Sequence, residues 1–400
     1  GNFFGKEQSS VFENTAILDA EVDPDQRTAT NFFERRFVFK GDYVNPISER
    51  LTLEVGSQYE IKDVGNDFEV LNEVNGEFVI DSNFTNDFKY DQDVLGVYGT
   101  LAYEKEKWGV KAGLRVENTD LRTELITTNE KNQQIFTNFF PSIHTSYEFS
   151  KAFSLQGGYS RRIFRPRLWD LNPFFNIRNN YNIRQGNPEL LPEFTDSYEV
   201  TAIFLMEKAS LNSSLYYLYT TDVVDRVSFV DNNVSITKPL NIGTRDKVGI
   251  ELNGKYKPSK WLSLNFDFNW GYFQRNGNFE GTSFDYQDDQ WTSELTSRFK
   301  LPMDMEVEVS GNYRSGFETI QGNVASLAFA DAGVRKLFLE GKIVVNFGIR
   351  DIFNSRIRET VARQPGFFLF DQSRRGTFYT LGVSYGFGKG EAMTYSGRRR

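Results

Sequence analysis

Cysteine is absent from the 400 residues of this chain, and histidine occurs only once, at His144. The lack of cysteine excludes disulfides and thiolate metal sites. A single histidine leaves both a transition-metal site and a Ser/His/Asp triad without their usual partners, and no nucleophile motif accompanies it. The sequence therefore predicts no catalytic residue, no metal site and no cofactor, and we do not expect an enzyme.

Long apolar runs and a positive net charge are missing as well. No stretch approaches the roughly 18 consecutive apolar residues of a membrane helix. The formal net charge is −8, whereas nucleic-acid binding needs a basic stripe, so the sequence predicts no nucleic-acid partner. The opening residues, GNFFGKEQSS, lack the basic and then apolar pattern of a signal peptide. We expect either that a signal has been removed or that Gly1 is not the natural start.

Aromatic residues are abundant although the chain as a whole is polar. It contains 38 Phe and 19 Tyr, yet its mean hydropathy is −0.49. Both facts fit strands in which apolar and polar residues alternate, such as 51–61, 108–117, 248–256, 262–272 and 379–387. Segments of this length suit tilted membrane strands, with one face in lipid and one face in water.

Connection lengths separate a membrane barrel from a soluble sandwich, which also alternates. About fifteen strands are predicted, beginning near residues 34, 50, 90, 108, 138, 153, 194, 209, 244, 261, 287, 305, 323, 342 and 375. Short turns such as NPIS, EKEK and LPMD alternate with long polar loops at 63–89, 121–136, 166–192, 222–242 and 355–374. Outer-membrane barrels have short periplasmic turns and long outer loops. The predicted fold is all-β, a transmembrane antiparallel up-and-down β-barrel.

The barrel is predicted over residues 31–388, preceded by an outer-loop segment at 1–30 and followed by a polar C-terminal tail at 389–400. The first predicted strand ends in a short turn, so residues 1–30 would lie outside the cell. Bacterial single-chain barrels have an even number of strands, whereas fifteen is odd. We therefore expect further strands upstream and a natural protein that begins several hundred residues before Gly1.

Two further groups of residues follow from the alternation. Aromatic residues flank the short turns at Trp108, Phe153, Trp261 and Phe338. They fit an interfacial girdle, although strand propensity alone also favours aromatics. The wet face carries charges of both signs, which either line a channel or pair with a plug inside the barrel: Glu54, Lys111, Arg115, Glu251 and Arg350. His144 is expected on the same face.

Several motifs resemble the barrel of TonB-dependent receptors, in particular its Bacteroidetes outer-membrane branch. They are FFPS (139–142), YSRRIFRP (159–166), WDLNPF (169–174), GNPELLPE (186–193), DSYE (196–199), RDIFN (350–354) and VSYGFG (383–388). The resemblance covers nearly all of 30–388. It implies a 22-stranded barrel in the outer membrane of a Gram-negative bacterium, with a plug domain, importing a bulky nutrient with energy from the TonB complex. The 400 residues contain no plug and no TonB-contacting segment.

The segment 161–193 contains the candidate substrate-binding residues, which are Arg165, Trp169, Asn172, Phe174 and Asn187. As a site, the arginine would grip anionic groups and the aromatic residues would stack on a ligand. As structure, four prolines fix turns and the polar side chains satisfy the loop itself. Cargo contacts are also predicted in segments without the family pattern, at 68–84, 127–134 and 276–287, although solvated loops have the same composition.

Two functions remain open at this stage. The first is the barrel of a receptor that imports an unidentified nutrient, with outer-membrane lipid and, through a plug, the TonB complex as partners. The alternative is a receptor-like barrel that acts as a structural or accessory subunit, with a surface lipoprotein or an outer-membrane complex as partner. The sequence upstream of Gly1 would discriminate between them, because import needs a plug.

Overall fold

The computed structural model describes residues 2–12, 25–82, 84–173, 176–179, 182–231, 234–279, 281–364 and 366–386. No helix among these residues is long and apolar enough to cross a membrane. One short helix and 25 strands make up the described chain.

The elements of the first half are β1 (Asn2–Phe12), β2 (Gln26–Pro46), β3 (Leu51–Val74), β4 (Glu77–Ile80), β5 (Asn86–Lys105), β6 (Trp108–Leu125), β7 (Glu130–Ser150), β8 (Phe153–Phe164), α1 (Leu168–Leu171), β9 (Asn176–Asn179), β10 (Asn182–Arg184), β11 (Glu193–Leu205) and β12 (Ala209–Thr221).

The elements of the second half are β13 (Val224–Asp231), β14 (Val234–Asn241), β15 (Thr244–Tyr256), β16 (Leu262–Phe279), β17 (Thr282–Leu301), β18 (Met305–Arg314), β19 (Phe317–Thr319), β20 (Gly322–Val324), β21 (Leu327–Phe338), β22 (Ile343–Arg350), β23 (Ile357–Gln364), β24 (Phe367–Arg374) and β25 (Phe378–Tyr385).

One antiparallel sheet of 17 strands forms a wall. Its spatial order follows the chain, β1-β2-β3-β5-β6-β7-β8-β11-β12-β15-β16-β17-β18-β21-β22-β25, and β4 pairs with the far end of β3. Every neighbour is thus the next wall strand along the chain, which is the up-and-down arrangement predicted from the sequence. In the described part of the chain, β1 pairs only with β2 and β25 only with β22.

The fifteen predicted strands are confirmed as the strands of this wall other than β1 and β4. The structure adds β1, which pairs with residues 26–36 of β2 within the segment expected to be an outer loop. The domain limits at 30 and 388, the tail at 389–400 and the total of 22 strands stay predictions, since residues 387–400 lie outside the described chain.

The two faces of the wall differ as the alternation predicts. One face, the outer face, exposes large apolar side chains at the middle of the strands, such as Val97 (55% exposed), Leu215 (58%) and Leu381 (73%). The other, the inner face, carries the predicted polar residues. Lys111 lies directly opposite His144, whose Nδ1 is within 2.7 Å of where a side chain on Gly158 would begin. Exposed apolar side chains on one whole face suit lipid rather than water.

Several of the predicted polar loops were wrong, because the strands continue through them. β3 runs to Val74 and β5 starts at Asn86, while β6 and β7 are joined by residues 126–129 alone. The segment 276–287 is also a hairpin, of β16 and β17. Lipid on one side and water on the other impose the alternation only within the bilayer. Beyond it both faces are wet, so the ladder continues without a pattern in the sequence.

The aromatic residues at the short turns form a continuous row of contacting rings. Trp108, Tyr147, Phe149, Phe153 and Phe204 follow one another with ring centroids 4.6–5.0 Å apart. They come from four neighbouring strands and lie at the edge of the wall that carries the short turns. This arrangement agrees with the predicted girdle at one membrane interface, since aromatic rings favour that depth.

A charge placed on each face in turn tests the assignment of the faces. We expect Leu215→Arg on the outer face to destabilise the folded protein by about 2–4 kcal/mol, because the bilayer middle does not solvate a guanidinium group. Asn212→Arg, on the inner face of the same strand, is the matched control and should change stability little. Urea unfolding of the natural protein in lipid bilayers measures both, and equal costs would contradict the assignment.

Candidate functional site

The long connections form a cap at the edge of the wall opposite the short turns. β13 and β14 make a hairpin, and β10 adds to β14 in parallel with β9 beyond it. A second small sheet has the order β19-β20-β23-β24. Four separate outer connections therefore contribute strands to these two small sheets, since backbone groups that leave the wall need new partners.

An apolar cluster fixes part of this cap to the inner face. The wall contributes Phe88, Tyr90 and Leu121 among others, and the 166–192 connection contributes Leu168, Leu171 and Leu190, all less than 5% exposed. Burying a leucine side chain contributes about 1.5–3 kcal/mol. The three leucines therefore keep the connection packed against the inner face of the wall rather than in solvent.

Arg165 makes the ionic contact beside this cluster. Its Nη2 donates to Oε2 of Glu117 in a short bond and to Oγ1 of Thr119 at 3.2 Å. Arg115 donates from the other side to the same carboxylate at 2.5 Å. Only 10% of the Glu117 side chain is exposed, so two guanidinium groups compensate one largely buried charge. Such charge-assisted bonds are stronger than neutral ones, and they make Arg165 an anchor of the connection.

Asn172 and Asn187 are also occupied within the fold. The backbone oxygen of Asn172 accepts from Gly186 at 2.7 Å, and a side chain on Gly186 would collide with the Asn172 backbone. The backbone of Asn187 donates to Asp170 at 2.7 Å, and its side-chain amide donates to Pro239 at 3.3 Å. The structural role of this segment, which was the alternative to ligand contact, accounts for both residues. Ligand contact by them stays a prediction.

Trp169 is the candidate residue that faces solvent most openly. Its side chain is 56% exposed and stacks on Phe32 of β2, with ring centroids 5.6 Å apart and planes inclined by 23°. A ligand could stack on the open side of this ring. Phe174 lies outside the described residues. Arg165, Trp169, Asn172 and Asn187 thus lie in one segment, but each contacts different neighbours.

Further charged residues of the cap were missed in the sequence. Asp170 accepts from Arg226 at 2.7 Å, which joins α1 to β13. Asp225 accepts from Arg275 of β16 at 2.5 Å, and the Arg275 side chain is 4% exposed. These partners are 50 or more residues apart in the chain. No local signal identifies them, because they meet only through the register of the wall.

The two small sheets are linked by one glutamine. Gln321, between β19 and β20, accepts from the backbone N–H of Ser228 at 2.7 Å and donates to the Ser228 carbonyl at 2.8 Å. Both residues are buried. A side-chain amide that satisfies both backbone groups of one residue substitutes for a missing neighbouring strand. The cap is therefore one connected network over the inner face.

Removal of the Arg165 anchor should loosen the cap. We expect Arg165→Ala to lower the local opening free energy of amides near 170–172 by about 1–3 kcal/mol, because Glu117 loses one of its two cations. Arg122→Ala is the matched control, since Arg122 is 54% exposed in its pair with Asp120 and exposed pairs contribute about 0–1 kcal/mol. Hydrogen exchange measures both; equal effects would show that Arg165 is not an anchor.

Comparison with known proteins shows which families and folds this chain is similar to. A family model described as "Outer membrane protein beta-barrel family" matches residues 2–385. Similar solved structures include the copper transporter OprC (11% identity, TM-score 0.63, 89% of this chain and 57% of that chain) and the ferric citrate transporter FecA (12%, 0.63, 95% and 57%). The siderophore receptor PiuA from Acinetobacter baumannii is another (14%, 0.62, 90% and 57%). Comparison with curated protein sequences gives no match.

The chain therefore spans little more than half the length of these transporters and receptors. At such low identity, the likeness establishes the fold alone, which is that of the β-barrels of these transporters and receptors. The lipid-suited outer face and the family match together confirm the outer membrane as its location. Since the family model covers residues 2–385, the chain belongs to the outer membrane protein β-barrel family.

Proposed function

We propose that this chain forms the barrel of an outer-membrane receptor that imports a bulky polar nutrient with energy from a TonB complex. The observation that carries the proposal is the connected cap over a charged inner face. A diffusion pore needs an open mouth, whereas the cap here is tied to the wall through Arg165–Glu117 and Arg275–Asp225. A tied cap suits a receptor that admits its solute only after the outer loops rearrange.

The partners follow from the same proposal. The outer face contacts outer-membrane lipid. A plug domain inside the barrel connects the barrel to the TonB complex. The inner face carries charges of both signs, such as Glu54 and Lys111, whose Oε2 and Nζ atoms are 2.7 Å apart. Mixed charges suit contact with the surface of a plug better than a pore that selects one sign of ion.

The proposal also concerns the class of cargo. The names of the similar structures describe a copper transporter, a ferric citrate transporter and a siderophore receptor. We propose a bulky nutrient as the cargo of this receptor. The 166–192 connection, with Trp169 exposed at its surface, is the first surface such a solute would meet.

Deletion of the gene tests the proposal in the natural host. A strain without the protein should leave one class of solute in a defined rich medium that the parent strain depletes, as measured by mass spectrometry of the medium. A protonophore should abolish the depletion by the parent. If both strains deplete the same solutes while an outer-membrane complex loses its integrity on native gels, the accessory-subunit function replaces this proposal.

A reversible lock on the cap tests whether its loops must part. The chain has no cysteine, so Val324→Cys with Thr360→Cys introduces a single disulfide between β20 and β23, which are paired at these positions. The spacing of neighbouring strands lies within disulfide geometry. We expect oxidation to stop solute depletion and a reductant to restore it. Each single cysteine variant is the control, and transport by the locked protein would contradict gating by the cap.

A further inference from the structure

Among the described residues, most ion pairs of the wall lie on its inner face. Arg36 pairs with Glu60 at 2.8 Å, Lys111 with Glu54 at 2.7 Å, and Arg298 of β17 with Glu308 of β18 at 2.6 Å. Near Arg298, however, a group of inner-face charges around Asp267 and Arg314 has no ionic partner among the described residues. This group thus lacks the compensation that the three pairs have.

The negative side of this group lies on β16 and β17. Asp267 and Glu294 are direct cross-strand partners on the inner face. Like charges in that position repel, and neighbouring strands are only about 5 Å apart. Among the described residues neither forms a salt bridge, and Glu294 accepts a bond only from the Thr296 hydroxyl, at 3.3 Å. Glu251 of β15 adds a third carboxylate, which accepts from Asn253.

The positive side is Arg314 at the outer end of β18. Its Nε and Nη2 are buried and have no hydrogen-bond partner. Arg358 of β23 lies close enough to repel it, and Arg356 stacks over Phe329 with its guanidinium carbon 4.4 Å from the ring centroid. No described carboxylate pairs with any of these three arginines. A buried guanidinium donor without an acceptor costs free energy, so this side needs an anion.

Both sides border one cavity of about 440 Å³, lined by Glu251, Asp267, Glu294, Arg314, Leu327 and Phe329 among others. Asn269 and Thr292 lie between the two sides in the register of the strands and also line it. From Asp267 to Arg314 is two strand spacings across the wall and a short step along it, or roughly 12 Å. Extended peptides of three or four residues span about 10–14 Å.

We propose that this cavity binds a short zwitterionic peptide in extended form. Its carboxylate lies on Arg314 and its ammonium group lies between Asp267 and Glu294. The backbone amides of the peptide then face Asn269 and Thr292, which can donate and accept. A simple anion is repelled by the three carboxylates, and a simple cation leaves Arg314 unsatisfied. The proposal names the cargo class of the receptor and so rests on the uptake function.

Calorimetry with three matched peptides tests the proposal on the natural full-length protein in detergent. Tetraalanine carries both terminal charges, N-acetyl-tetraalanine lacks the cation and tetraalanine amide lacks the anion. We expect tetraalanine to bind at least about tenfold more tightly than either blocked peptide, since each removes one ion pair. Equal binding of the three, or no binding to the folded protein, overturns the proposal.

Variants test which side of the cavity binds which terminal charge of the peptide. Arg314→Gln should reduce the affinity for tetraalanine at least about tenfold and leave that for tetraalanine amide unchanged. Asp267→Asn should lower the affinity for tetraalanine amide and spare that for N-acetyl-tetraalanine. Arg298→Gln is the control, because Arg298 is paired with Glu308 at 2.6 Å and with Glu306 at 3.1 Å. The same loss in Arg298→Gln and Arg314→Gln would overturn the assignment.

The comparison of peptides on the unaltered protein does not depend on any variant folding. It also separates this proposal from the uptake function. If the gene deletion leaves solute depletion unchanged but the purified protein still prefers tetraalanine, transport is wrong and the site stands. If depletion is lost in the deletion strain but the three peptides bind equally, the receptor function stands and the peptide site is wrong.

Discussion

Backbone hydrogen bonding in lipid is the constraint on which the rest of this structure depends. Hydrocarbon offers no partner for a peptide group, and each unpaired group costs several kcal/mol. The wall strands meet the requirement laterally, since each pairs with the wall strand before it and the one after it from β2 to β22. Once the backbone is satisfied in this way, successive side chains must point to opposite faces. Lipid selects the residues on one face, and water selects those on the other.

The charged side chains of the aqueous face then need partners of opposite charge. Near β2 to β8 these partners lie on the same face, as in Glu54–Lys111, and at the mouth they come from the outer connections, as when Arg165 compensates Glu117. Apolar residues such as Leu171 complete the attachment of the cap. The stretch around Asp267 and Arg314 follows neither solution. A solute that carries both charges would satisfy both sides of this cavity, which is the basis of the peptide proposal.

The sequence was sufficient for the wall because its signal is local. Alternation along 262–272 is visible without knowing any neighbour, and the short turns fix the direction of each strand. The cap was not predictable in the same way. Its strands lie beyond the bilayer, where no alternation is imposed. The same holds for the outer ends of β16 and β17, so the sequence predicts a loop at 276–287 where the structure has a hairpin of the wall.

The candidate residues show the same limit. Arg165, Asn172 and Asn187 were located correctly in one connection, but their partners were not predictable. Glu117 and Pro239 lie about 50 residues away in the chain, and only the register of β6 and the course of β14 bring them close. The pair Asp267 and Glu294 depends on the β16–β17 register in the same way. The candidate and proposed sites therefore depend on contacts between strands, which alternation alone does not specify.

Water accessibility along one strand tests the central claim most directly. Because these 400 residues contain no cysteine, single cysteines can be placed at each position from 264 to 272 and treated in intact outer membranes with a water-soluble maleimide. A wall between lipid and an aqueous interior predicts reaction at 265, 267, 269 and 271 and protection at 264, 266, 268, 270 and 272. Protection at every position would instead reveal a dry interior between two sheets and would contradict the account.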